Sequence, residues 1–214
     1  MSGKTIVLHI GLHKTGTSSI QETLAANRPL LVDRGLLYPA SLPANHSNFV
    51  YNAFASAPEA YHANRARGLT REEIAARTAR TLEALRREVA ETACGTIVFS
   101  AEDACTLKAD EVARMQAFLA ALVPSPTLRV LLYTRHPVDY VASAVQENVK
   151  GNGLTVARAK QIHLGAAPQR FRRIHDTYAG AFGREAVTFR SFEAARAGPG
   201  GLIGDFLGAL GTDA

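Results

Sequence analysis

Cysteine is scarce: Cys94 and Cys105 are the only two in a chain of 214 residues. They are too few and too isolated for a disulfide framework or a zinc site, and read as free thiols in or near a core. No apolar run approaches the roughly 20 residues needed to span a bilayer. The opening Met1-Ser2-Gly3-Lys4 leads straight into an apolar run, without the basic and then apolar segments of a signal peptide. A cytoplasmic location with no transmembrane segment is the resulting expectation. The histidines are scattered and lack zinc-ligand spacing, so no metal is expected. Repeats and low-complexity segments are also missing. The net charge is +5 and the pI near 9.5. Even so, there is no Lys/Arg block and no interleaving of basic and aromatic residues, which argues against a nucleic-acid surface. Arg65, Arg67, Arg71, Arg77, Arg80, Arg86, Arg87, Arg170, Arg172 and Arg173 read mainly as solvated helix faces. Part of that charge can attract a ligand with several negative charges.

A single domain spanning residues 1–214 is the expectation from length, with enough chain to bury a substantial core. Buried strands are expected at Ile6–Ile10, Thr96–Ser100, Leu128–Thr134 and Ala186–Phe189, with a short one at Leu36–Tyr38. Helices are expected over Ser18–Ala26, Leu30–Arg34, Asn48–Ala55, from Val138 onward, and over Leu202–Leu210. Thr70, with Glu73 three residues on, forms a capping box for a long helix running to about Thr92. Asp110 reads as the cap of a helix carrying Val112, Met115, Phe118, Leu119 and Leu122, stopped by Pro124. Helices alternating with buried strands predict an α/β fold with a mostly parallel central sheet and helices on both faces. In such a sheet ligands bind beyond the carboxyl ends of the strands.

The most informative segment lies at the first of those ends: Gly11-Leu12-His13-Lys14-Thr15-Gly16-Thr17-Ser18-Ser19. A strand that feeds a Gly-bounded turn and then a helix N-terminus is an anion site, because unpaired amides and the helix dipole both favour negative charge there. The nucleotide P-loop is G-x-x-x-x-G-K-[ST]. Gly11 and Gly16 have its spacing, but Thr17 occupies the lysine position and the lysine has moved back to Lys14. A second strand end carries Arg135-His136-Pro137, with Pro137 suited to a first helical turn. Ser143 follows eight residues after Arg135, about two turns into that helix.

Lys14-Thr15-Gly16-Thr17-Ser18 resembles the 5′-phosphosulfate loop of sulfotransferases that use 3′-phosphoadenosine 5′-phosphosulfate (PAPS). Arg135 and Ser143 resemble that family's 3′-phosphate motif. The specific matches are confined to these two stretches. The resemblance implies a P-loop-type three-layer sandwich, with PAPS as donor and 3′,5′-ADP (PAP) as product. It assigns donor binding to His13, Lys14, Thr15, Gly16, Thr17, Ser18, Arg135 and Ser143. A guanidinium can grip a phosphate bidentately, and a hydroxyl adds a neutral hydrogen bond. The Thr17 and Ser18 hydroxyls are expected on the 5′-phosphate. The basic, Gly-containing segment that closes over the 3′-phosphate in many of these enzymes has no convincing match in Arg196-Ala197-Gly198-Pro199-Gly200-Gly201. A lid supplied by a partner subunit, and hence an oligomer, is one way to complete the site.

Sulfuryl transfer to a hydroxyl or amine builds charge on the leaving oxygen, and Lys14 is placed to hold it. The acceptor also needs a base. Glu102, two residues after the Thr96–Ser100 strand, either takes that proton or only adds negative charge to a helix's first turn. His46, in the polar loop after Tyr38-Pro39, is the second candidate. His136 could orient Arg135, His9 reads as structural, and Gln146 and Asn148 could meet adenine or acceptor. The acceptor pocket is expected from Ala40–Arg67 and Asn152–Arg173, for a carbohydrate or another small molecule. Two other readings stay open. A P-loop small-molecule kinase would need a lysine after Gly16 and an Asp for magnesium. A nucleotide-binding module without chemistry would keep the site but not turn over.

Overall fold

The computed structural model describes residues 3–164 and 167–211. Met1 and Ser2, part of the opening read above, and Gly165 and Ala166, inside the expected acceptor segment, lie outside the described residues. In chain order the elements are β1 Thr5–His9, α1 Thr17–Ala26, α2 Arg28–Asp33, β2 Leu36–Leu37, α3 Ser47–Phe54, α4 His62–Ala66, α5 Arg71–Glu91, β3 Thr96–Ser100, α6 Ala109–Leu122, β4 Thr127–Thr134, α7 Pro137–Asn152, α8 Val156–Leu164, α9 Ala167–Phe182, β5 Val187–Ser191, α10 Phe192–Ala197 and α11 Gly201–Leu210. Short 3-10 turns cover Pro58–Ala60, Glu102–Thr106 and Arg184–Ala186.

The sheet runs β2-β3-β1-β4-β5, and every pairing is parallel. The expectation of a mostly parallel sheet thus becomes an all-parallel one. Each crossover carries a helix onto one of the two faces, and the alternation of side chains along each strand feeds both. Ile6, Leu8, Ile97, Phe99, Val130 and Leu132 belong to one core, with Leu85 and Val89 of α5, Met115 and Leu119 of α6, and Tyr178 of α9. Val7, Val98, Leu131 and Tyr133 belong to the other, with Ile20 and Leu24 of α1, Phe192 of α10, and Phe206 and Leu210 of α11. Three layers result, as the sequence pattern predicts.

The helix starts follow local chemistry. Thr70 Oγ1 accepts from the Glu73 amide at 3.3 Å, and Glu73 Oε2 accepts from the Thr70 amide at 2.9 Å, so the capping box of α5 forms as expected. The start of α6 differs from the expectation. Lys108, not Asp110, is its N-cap. The reason is Glu111, whose Oε2 accepts from the Lys108 amide at 2.8 Å while its Oε1 accepts from the Ser56 amide at 2.7 Å. Asp110 is left in the first turn, where it pairs with Arg114 at 2.9 Å.

β1, at the centre, positions the site. Its end, the end of β3 and the end of β4 open on the same edge of the sheet, because all three strands run in register: His9 lies beside Ser100 on one side and Leu131 on the other. The loop after β1, the Glu102–Thr106 turn after β3 and the start of α7 after β4 are therefore neighbours.

Candidate active site

The loop from Ile10 to Gly16 turns through two left-handed residues, Lys14 at φ 71° and Gly16 at φ 73°. Such a conformation costs a non-glycine residue about 1–2 kcal/mol, so Lys14 is held there by its surroundings. Gly16 needs its missing side chain twice over. Its φ is positive, and a Cβ would stand 2.3 Å from Leu202 Cδ2 of α11. Gly11 has no room either, since a Cβ would stand 2.3 Å from Thr17 Oγ1. The Thr15 hydroxyl donates to Leu12 O at 2.6 Å and the Thr17 hydroxyl to the same oxygen at 3.4 Å. Both threonines are buried, and their hydroxyls stiffen the loop instead of facing a ligand; Ser18 is exposed. The Thr17 hydroxyl is thus not turned to a phosphate as the sequence suggested. No side chain caps α1, so the amides of its first turn keep their donors.

The structure brings the two motifs together. Arg135 Nη1 donates to Lys14 O at 3.2 Å, so the end of β4 clasps the loop after β1. The Arg135 guanidinium lies 5.6 Å from the centre of the Phe192 ring. Its Nε is buried without a hydrogen-bond partner, and Glu193 Oε1 is 3.9 Å away, within ion-pair range only. Glu193 Oε1 also accepts from the His136 amide at 3.0 Å. Lys14 Nζ is 2.7 Å from Glu147 Oε1 of α7. Lys14, Ser143, Gln146, Glu147 and Lys150 line one open cleft. Lys14 thus meets Arg135 through its carbonyl and shares the cleft with Ser143. Glu147 was not singled out in the sequence, although it lies four residues after Ser143, on the same face of α7.

His13 faces the other side of the loop. Its Nε2 is 3.3 Å from Asp103 Oδ1 and its Nδ1 is 3.6 Å from Glu102 Oε2. Hydrogen bonding to Asp103 and then Glu102 outweighs partial burial and raises its pKa to about 9, so it is a cation at neutral pH. Asp103 also accepts from the Tyr61 hydroxyl at 2.7 Å. Burial acts to push the Asp103 carboxyl up, but the bonds from His13 and Tyr61 prevail and hold it below its ordinary range. The Glu102–Thr106 turn is therefore tied to the loop through His13. Asp103, the acid available to a kinase reading, is engaged by His13 and Tyr61.

His46 is not at the cleft. It is fully buried and stacks on Tyr38 with ring centres 4.5 Å apart. Its Nδ1 accepts from the Ser100 amide at 3.2 Å. Burial, helped by the Arg28 charge, lowers its pKa to about 3. A neutral ring packed under the sheet edge holds β3 in place and meets no solvent-borne acceptor. His9 is structural as read, with Nδ1 2.8 Å from Ser100 Oγ, and burial lowers its pKa to about 3. Asn148 is bonded to Ala144 O at 3.2 Å and to His163 at 2.7 Å, while Gln146 does line the cleft.

The C-terminal segment reaches the site after all. Arg196 lies 5.5 Å from the centre of the same Phe192 ring that Arg135 covers. Leu202 packs against Gly16. Arg135 and Arg196 thus share Phe192 as a neighbour within one chain.

No protein-family model matches the chain, and no curated protein sequence matches it. Solved structures do. A sulfotransferase from Alicyclobacillus acidocaldarius superposes with a TM-score of 0.56 at 19% identity, over 100% of this chain and 83% of that one. The sulfotransferase domain from the curacin biosynthetic pathway gives a TM-score of 0.50 at 12% identity, over 100% of this chain and 75% of that one. The chain has a sulfotransferase fold. Among its described residues, no helix is long and apolar enough to cross a membrane, and no group of three or more His, Cys, Asp or Glu could hold a metal ion.

Proposed function

We propose that this protein is a sulfotransferase, acting as one domain, that moves a sulfuryl group from PAPS to a hydroxyl or amine of a carbohydrate or another small molecule. The observation that carries the reading is the Arg135–Lys14 contact, which joins the two strand-end motifs beside the cleft that Lys14 and Ser143 line. The residues present fit a donor with two separate phosphate groups. The uncapped amides at the start of α1 suit the 5′ end. The buried, unpartnered Arg135 Nε suits the 3′-phosphate, with Ser143 and Arg196 in support. An ADP or ATP ligand would leave the Arg135 Nε proton without a hydrogen-bond acceptor, a cost that discriminates between donors.

The donor supplies an activated sulfuryl group; the chain supplies position and charge. Lys14 holds negative charge at the leaving oxygen, where a fixed ammonium needs no reorganisation during reaction. The Glu102 carboxylate takes the acceptor's proton as the hydroxyl becomes acidic. His13, a cation between Glu102 and Asp103, is a positioning residue: it offsets the repulsion between the two carboxylates and holds Glu102 against the loop that carries Lys14. The test is release of PAP from PAPS in the presence of a panel of sugars and small alcohols, with the sulfated product read by mass. Lys14→Ala and Glu102→Gln should each lower turnover by about 100-fold or more, in line with removal of one charge-stabilising or proton-transferring group. Turnover unchanged in both variants overturns the reading.

A further inference from the structure

A second cavity, of about 500 Å³, lies between α8 and α9 and is lined by Ile162, His163, Gln169, Arg170 and Arg173. No acidic residue is among these. Arg170 and Arg173 are three apart on α9, so they share a helix face and repel one another. Among the described residues neither has a carboxylate partner. Arg170 is instead bonded to the hydroxyl of Tyr140, a buried residue of α7, which fixes its guanidinium at the wall. Their repulsion is screened by solvent, and an anion seated between the two would relieve it and gain charge-assisted hydrogen bonds.

His163 adds a hydrogen bond and not a charge. Its Nε2 accepts from Asn148 Nδ2 at 2.7 Å, which leaves the proton on Nδ1. Burial, with the Arg170 charge in the same direction, lowers its pKa. The wall is therefore two guanidiniums and a neutral imidazole, a set suited to a carboxylate or to a sulfate or phosphate monoester.

The two helices that wall the cavity are fastened to α7, through Asn148 and Tyr140, and to the Glu102–Thr106 turn. On one side, Asn148, which holds His163, directly follows Glu147, whose carboxylate is 2.7 Å from Lys14 Nζ. On the other, Tyr178 of α9 donates to Ala104 O at 2.8 Å, so α9 is fastened to the Glu102–Thr106 turn. Arg170 and Arg173 both act on Cys105 in that turn, opposing the burial that pushes its thiol up.

We infer that this cavity receives an acid group of the acceptor, so that the substrate is an alcohol or amine already carrying a negative charge. This rests on the sulfotransferase reading above and narrows its acceptor. The acid group seats on Arg170 and Arg173, and the reacting hydroxyl lies toward Glu102. Uncharged acceptors of the same shape lack this anchor.

The full chain, saturated with PAP, is titrated calorimetrically with methyl β-D-glucuronoside, glucose 6-phosphate and glucose 6-sulfate, with methyl β-D-glucoside as the uncharged comparison. At least one acid-bearing sugar should bind tenfold or more tightly than the glucoside, and which one identifies the acid group as carboxylate, phosphate or sulfate. Arg170→Gln and Arg173→Gln should each remove most of that preference while PAP binding stays at the wild-type level, which also reports that the variants are folded. The inference is overturned if no acid-bearing sugar outbinds the glucoside, or if the preference survives in Arg173→Gln, the exposed member of the pair. Repeating the series without PAP separates the two readings: failure of PAP to bind removes the donor assignment, whereas the arginine-dependent preference is judged on its own.

Discussion

Removing the charge of Glu147 should tighten donor binding. The carboxylate sits 2.7 Å from Lys14 Nζ, on the ammonium that the donor's anionic group would take. It therefore acts as an internal competitor for that ammonium. The Lys14 side chain is 30% exposed and that of Glu147 53%, so water screens the pair strongly. Ion pairs of this kind are worth about 0.2–1 kcal/mol. Releasing the competitor should thus improve PAP affinity by about 1.4- to fivefold, since a tenfold change corresponds to roughly 1.4 kcal/mol. Calorimetric titration of Glu147→Gln with PAP at low ionic strength measures this. Raising the salt towards 1 M shortens the Debye length to about 3 Å and should shrink the difference between variant and wild type. In a Lys14→Ala background the Glu147→Gln effect should vanish, because the two act through one contact. Unchanged or weaker PAP binding by Glu147→Gln at low salt, or an equal gain in the Lys14→Ala background, would refute the reasoning.

Three further outcomes follow from the same geometry. His13, with its folded pKa near 9 against an unfolded value near 6.5, lends stability that is complete below pH 6.5 and is lost as pH rises through 9. The urea midpoint of the wild type should accordingly fall between pH 7 and 9.5 more than that of His13→Gln; parallel curves would contradict the assignment. Gly16→Ala combines a left-handed backbone, costing about 1–2 kcal/mol, with a collision against Leu202. Its melting temperature should drop and its PAP binding weaken, whereas Gly35→Ala, with the same positive φ but open space around it, should lose stability and keep PAP affinity. Thr70→Ala removes the hydroxyl that accepts from the Glu73 amide and should cost about 1 kcal/mol in urea unfolding.

Much of the site was legible because it rests on backbone junctions. The strand–loop–helix at Gly11–Ser19 and the strand end at Arg135 are written in glycine, proline and β-branched residues close in sequence, and the parallel register then brings them together. β3 is found where Thr96-Ile97-Val98-Phe99-Ser100 predicts it. What escaped depends on contacts distant in the chain. His46 reads as a polar loop residue, but Tyr38 and Ser100 draw it into the core, 54 residues from its backbone partner. The Thr17 hydroxyl reads as a ligand, but Leu12 O lies within the same tight loop and accepts from it. His13 shows no sequence sign of its partners, which arrive from the turn after β3. Arg196 lies in a segment noted for its composition, and only the packing of α10 brings it to the Phe192 ring that Arg135 also meets.

The central claim is that one cleft holds a nucleotide by a 5′-phosphosulfate loop and a 3′-phosphate arginine. Calorimetric titration of the full chain with 3′,5′-ADP, ADP and ATP, beside the Arg135→Ala variant, tests it most directly. The account predicts that 3′,5′-ADP binds at least tenfold more tightly than ADP or ATP and that Arg135→Ala abolishes this preference. Equal or tighter binding of ATP by the wild type would contradict it.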